Sequence, residues 1–166
     1  MVEDYLKSDP PIKDQDGNGT FLKMRVRVSS ITHFNEMDMT FTARFSIQLK
    51  WYDWRVTFYN LKDSKENFNH IGLSDLQTLW LPRLIFSNCI YEASLKYDDL
   101  SSMICQRKGP STLSSPDEIE ENESFEGDSN PMVYNRTYEL ELECNFHLEK
   151  YPFDYQSCFI DVSKSI

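Results

Sequence analysis

The spacing of histidine, cysteine and carboxylate residues limits which chemistries this chain can perform. Its three histidines, His33, His70 and His147, share no metal-ligand spacing. Asp14-Gln15-Asp16-Gly17-Asn18 has the opening of a calcium loop but lacks the distal bidentate Glu, so a polar turn is the better account. No G-x-S-x-G elbow and no glycine-rich phosphate loop occurs. Carboxylates are so abundant, 27 in 166 residues, that finding two close together says nothing about acid–base catalysis. The expectation is a protein that is not an enzyme and needs no metal or cofactor.

The four cysteines and three N-x-[ST] sequons point elsewhere. Cys144 and Cys158 have thirteen residues between them. A bridge there would close a short loop and contribute about 3 kcal/mol through loop-closure entropy. The sequons begin at Asn18, Asn122 and Asn135. Together with an even number of cysteines they favour glycosylation and an oxidising, extracellular setting. The first residues, Met1-Val2-Glu3-Asp4, lack the basic and apolar regions of a signal peptide.

Charge narrows the partners. Seventeen Lys and Arg against 27 Asp and Glu give a formal charge of -10, which argues against nucleic acid, whose phosphates demand clustered cations. No run of about 18 apolar residues is present. Seven carboxylates lie between Asp117 and Asp128 with no basic residue among them; subtracting them from -10 leaves -3, so the surplus is largely local. This acidic stretch, within 109–131, is read as an inserted loop: either a solvated, glycosylated connection or a lid that attracts cations or a partner.

The elements that must position these residues are strands. Met39, Phe41, Ala43, Phe45, Ile47 and Leu49 alternate with Thr40, Thr42, Arg44, Ser46, Gln48 and Lys50, twelve residues of strict period two. Leu22, Met24, Val26 and Val28 alternate with Lys23, Arg25, Arg27 and Ser29. Tyr138, Leu140, Leu142 and Cys144 alternate with Thr137, Glu139, Glu141 and Glu143. Helical spacing of comparable length is absent; Gly72–Leu76 suggests a single turn and the first few residues a frayed helix. The predicted class is all-β, an immunoglobulin-like sandwich of two sheets.

Between the two spaced cysteines lies Tyr151-Pro152-Phe153-Asp154. Trp51-Tyr52-Asp53-Trp54-Arg55-Val56 comes earlier, and Trp80-Leu81-Pro82 is followed by Asn88. In order and approximate spacing these segments resemble the Cys-loop receptor superfamily, the pentameric ligand-gated ion channels, over roughly residues 20–166. They are similar to its W-x-D-x-R-L, its W-x-P-D…N and its cysteine-closed loop. An adhesion module of the immunoglobulin type is disfavoured, because its inter-sheet disulfide joins cysteines much further apart in sequence.

The resemblance implies roles. Residues 1–166 would be an extracellular ligand-binding domain, incomplete at its C-terminus before the last strands. Its partners would be identical or homologous subunits of a pentamer, a small-molecule ligand and, through a missing C-terminal channel domain, the cell membrane. The Cys144–Cys158 loop would meet the channel, with Tyr151, Pro152, Phe153 and Asp154 in gating coupling and a cis Tyr151–Pro152 bond. Glu36 and Asp38 would form the other membrane-facing loop, while Trp51 and Trp80 would be scaffold. Carrying over the interface ligand positions gives Ile85, Phe86, Ser87, Ser46, Gln48 and Ser165. These make no evident aromatic cage for a quaternary ammonium unless Phe86, Tyr91 or residues beyond Ile166 supply one, so the expected ligand is one other than acetylcholine.

Two departures from the pattern are notable. Arg83 stands where the family has Asp after W-x-P, and Cys89 and Cys105 fall outside the family loop. The latter two would either pair with each other or remain thiols. The alternative to a channel is a secreted soluble binding protein of the same fold, like the acetylcholine-binding proteins.

Overall fold

A computed structural model describes residues 5–12, 20–63, 69–91, 101–112 and 123–165. Eight strands occur in it: β1 (Lys23–Asn35), β2 (Thr40–Trp51), β3 (Thr57–Tyr59), β4 (Arg83–Phe86), β5 (Ser101–Cys105), β6 (Ser124–Glu126), β7 (Met132–Glu143) and β8 (Val162–Ser165). A single helical turn, α1 (Leu73–Leu76), is where Gly72–Leu76 predicted one. The class is all-β, as the period-two alternation implied.

One sheet has the order β1-β2-β7-β5, and two-stranded sheets pair β3 with β6 and β4 with β8. In β2 the alternation is realised: Phe41, Ala43, Phe45, Ile47, Leu49 and Trp51 are all buried, while the intervening side chains are partly or fully exposed. β7 follows the same rule through Tyr138 and Leu142, with Leu140 only half-buried. β1 does not. Its apolar residues Met24, Val26 and Val28 are exposed, like its arginines, because none of the described residues covers that face.

Contacts divide the chain into two compact units. The first holds Met1–Arg25, Gln48–Leu81 and Ser101–Asn135. Here β3 and β6 run antiparallel, with Phe58 opposite Phe125. Phe125, Leu61 and Cys105 form its buried cluster, against which Phe58 and Ile71 pack. β6 lies inside the 109–131 stretch that was expected to be an inserted loop. Residues 113–122 of that stretch are outside the described residues, and its two ends are bridged at Thr112 and Ser124. Trp51 and Trp80 meet edge to face at 6.0 Å, both buried, in agreement with a scaffold role.

After β2 the chain turns around a buried ion pair. The Asp53 carboxylate accepts from the Arg55 backbone N–H at 3.1 Å and from its Nε at 2.9 Å, and Nη2 donates to the other oxygen at 2.9 Å. Gly127 is required beside this turn. A Cβ there would come within 2.2 Å of the Asp53 carbonyl oxygen, a backbone atom.

The second unit holds Val26–Ile47, Pro82–Leu100 and Arg136–Ile166. β4 and β8 are antiparallel, with Ile85 opposite Ser163 and Arg83 opposite Ser165. Phe86 of β4 packs on Phe45 of β2 at 5.7 Å and on Tyr138 of β7 at 5.0 Å, which joins the two layers of this unit.

Candidate functional site

The second unit carries the cysteine-closed loop. Cys144, just past the end of β7, is bonded to Cys158 with their Cα atoms 5.4 Å apart. Between them the chain makes a 3-10 turn at Leu148–Lys150 and a cis Tyr151–Pro152 bond, the isomer that the resemblance implies. Gln156 braces the interior of the loop. Its Oε1 accepts from the His147 N–H at 2.9 Å, and its Nε2 donates to the His147 carbonyl at 3.1 Å and to Asp154. The tip presents apolar rings to solvent, with Phe153 87% and Tyr155 97% exposed.

The turn between β1 and β2 is attached to the base of this loop. The Cys144 N–H donates to the Met39 carbonyl at 2.8 Å, and the rings of Phe34 and Phe146 lie 6.4 Å apart. Asn35 shapes the turn. Its Oδ1 accepts from the N–H groups of Met37 and Asp38, and its Nδ2 donates to the Asp38 carboxylate at 2.7 Å. Met37 at the apex is 93% exposed. The unit therefore brings together two loops with apolar tips in water, and Glu36 and Asp38 sit on the second of them, exposed.

Three segments well apart in sequence, 51–56, 80–88 and 144–158, carry the resemblance. A family model described as neurotransmitter-gated ion-channel ligand binding domain matches residues 1–165. The chain belongs to that family. No curated protein matches it. Among the described residues, none of the helices is long and apolar enough to cross a membrane, and no group of three His, Cys, Asp or Glu side chains could hold a metal ion.

The ligand positions carried over from this ligand-binding family are only partly grouped. Ile85 and Ser87 are exposed at the end of β4, whereas the Phe86 ring is 8% exposed and committed to the core against Phe45 and Tyr138. Alternation along the strand is the reason: neighbours on β4 face opposite sides. Ser165 belongs to β8, whose backbone pairs it with Arg83. Ser46 and Gln48 are half-buried on the polar face of β2, and Gln48 Nε2 donates to Asn135 Oδ1 at 2.9 Å. Asn135, the one sequon asparagine among the described residues, is half-buried in β7 and engaged in this bond. Asn18 and Asn122 lie outside the described residues.

Cys89 and Cys105 are not bonded to each other, which corrects the pairing considered for them. They belong to different units, and each thiol has its own surroundings. Cys105 is buried with Sγ toward the Asn130 carbonyl at 3.8 Å, and burial pushes its pKa up to about 12. Cys89 Sγ donates to the Tyr91 carbonyl at 2.8 Å.

Sequence reasoning missed Gln156 and the Phe34–Phe146 contact. The signal available for Gln156 was an amide inside a short closed loop that has many backbone groups to satisfy.

Proposed function

We propose that this domain is the extracellular ligand-binding part of a pentameric ligand-gated channel, at the cell membrane, with the Cys144–Cys158 loop relaying ligand binding to the pore. One observation carries the proposal: the loop's base is fixed to β7 and to the β1–β2 turn, while its tip holds Phe153 and Tyr155 almost wholly in solvent. Apolar surface of this kind marks a docking site. A rigid base with a docking tip is the arrangement a relay requires. Tyr151, Pro152, Phe153 and Asp154, with Glu36 and Asp38 on the neighbouring turn, are the coupling residues of this reading. Ligand at subunit interfaces would favour one packing of the domain, and the loops would pass that bias on.

The ligand in this proposal lacks a quaternary ammonium group. The positions Ser46, Gln48, Ile85, Ser87 and Ser165 supply hydroxyls, an amide and one aliphatic side chain, and Phe86, the one aromatic among them, is in the core. Expression of the full-length protein in oocytes, with currents recorded during a screen of amines, amino acids and neutral ligands, tests the channel reading. A secreted pentamer and no current would replace it with the soluble binding protein. A rise of several degrees in melting temperature with millimolar acetylcholine would contradict the ligand class.

A further inference from the structure

Asn88 lies two residues beyond β4, half-buried, and all three hydrogen-bonding atoms of its amide group face the base of the cysteine-closed loop. Its Nδ2 donates to the Glu143 carbonyl at 3.1 Å and to the Phe159 carbonyl at 2.8 Å. Its Oδ1 accepts from the Asp161 N–H at 3.0 Å. The backbone reinforces this: Glu143 N–H donates to the Asn88 carbonyl at 2.8 Å, and Ser87 N–H to the Asp161 carbonyl at 3.0 Å. Glu143 immediately precedes Cys144, and Phe159 immediately follows Cys158. One side chain therefore spans the two flanks of the loop at the positions adjoining its disulfide.

The chemistry of the position is specific. Two carbonyls need two N–H donors and one amide N–H needs an acceptor, and a primary amide supplies both on one short stem. A carboxylate keeps the acceptor but turns an oxygen toward two carbonyl oxygens. A methyl group supplies neither.

We propose that Asn88 is a positioning residue for the Cys144–Cys158 loop. It is a non-covalent clasp, parallel to the disulfide, that sets the separation of the loop's flanks and ties both to the end of β4. Its meaning for signalling rests on the relay reading above. The clasp itself is read from backbone exchange and needs no gating signal.

The test is site-resolved hydrogen exchange on the full chain with Asn88→Ala and Asn88→Asp. In Asn88→Ala the Asp161 amide exchanges about tenfold faster, the loss of roughly one hydrogen bond. In Asn88→Asp, which retains an acceptor, it stays protected. The Gly127 amide, bonded to the Val56 carbonyl at 2.9 Å in the other unit, keeps its wild-type rate in both. Unchanged protection at Asp161 in Asn88→Ala would overturn the proposal, and so would an equal acceleration at Asp161 and Gly127, which marks a general loss of stability. Should Asn88→Ala fail to fold, Asn88→Asp decides: dithiothreitol then reduces the Cys144–Cys158 bond several-fold faster than in the wild type, and an unchanged rate refutes the clasp. A channel carrying Asn88→Ala that gates normally while Asp161 has lost protection supports the clasp and removes the relay.

Discussion

Asp53 and Arg55 form a two-pronged ion pair with the carboxylate 0% exposed and the guanidinium almost as deeply buried. The N-terminal segment completes it. Tyr5 OH donates to Asp53 Oδ2 at 3.1 Å, Arg55 lies 4.4 Å from the centre of the Tyr5 ring, and Arg55 Nη1 donates to the carbonyls of Leu6 and Asp9. Asp53 holds the Arg55 pKa above its ordinary value, and burial raises that of Tyr5 to about 12. Asp53→Asn leaves a guanidinium buried without its counter-charge, which is expected to cost about 3 kcal/mol. Chemical denaturation reads this as a lower midpoint at unchanged slope. The double variant Asp53→Asn, Arg55→Met is expected to lose less than Asp53→Asn alone, because it leaves no orphaned charge. A double variant that loses the sum of both singles would count against a coupled pair.

The two thiols differ in accessibility, Cys105 being buried and Cys89 only half-buried. A thiol reagent at about pH 8 should modify Cys89 alone in the native protein, and Cys105 only after denaturation. Cys89→Ser should abolish the native reaction. The folded pKa of Cys105, raised to about 12, lies above its unfolded value. Its contribution to stability is therefore complete below about pH 8.5 and is lost as pH rises toward 12. Cys105→Ala should flatten the alkaline decline in melting temperature over that window. Native reaction of both thiols at equal rates would refute the assignment.

How far the sequence reveals this structure depends on where each residue's partner lies. β2 is legible because its apolar face is covered, Phe45 by Phe86 and Tyr138 and Trp51 by Trp80, so its alternation and its burial coincide. β1 has the same alternation, yet none of the described residues covers its apolar face, and no local pattern distinguishes the two cases. β6 is hidden altogether. It is three residues in an acidic stretch, and what makes it a strand is pairing with β3, more than sixty residues earlier. At the site, the cysteine spacing and Tyr151-Pro152-Phe153-Asp154 locate the loop. Asn88 is found by its distance from Trp80, but its three hydrogen bonds exist only once β4, β7 and the chain after Cys158 converge.

Lys50 illustrates the opposite sign of pH dependence. Its ammonium donates to Gln106 Oε1 at 2.7 Å, and partial burial, followed by the nearby charges of Lys108 and Lys23, lowers its pKa to about 8. The charged form is thus disfavoured in the folded state. That penalty is complete below about pH 8 and disappears as pH rises through the unfolded value of about 10.4. Lys50→Gln should therefore melt higher than the wild type at neutral pH, with the advantage shrinking between those limits. An advantage independent of pH would place its origin in packing instead of charge.

The coupling reading makes a demand that a purely structural loop would not meet. Phe153 is 87% exposed, so replacing it removes almost no buried surface within the domain, and Phe153→Ser should change folding stability by less than about 0.5 kcal/mol. Phe146, by contrast, is 8% exposed and lies against Phe34 at the loop's base, so Phe146→Ala should destabilise the domain by about 3 kcal/mol. If the loop relays binding to a pore, Phe153→Ser should abolish ligand-evoked current in the full-length protein while surface expression and ligand binding persist. Separate measurements of denaturation midpoint, ligand binding and current divide the two residues. Phe146→Ala should lower the midpoint, whereas Phe153→Ser should remove current with midpoint and binding preserved. Normal currents from Phe153→Ser would exclude this ring from the relay.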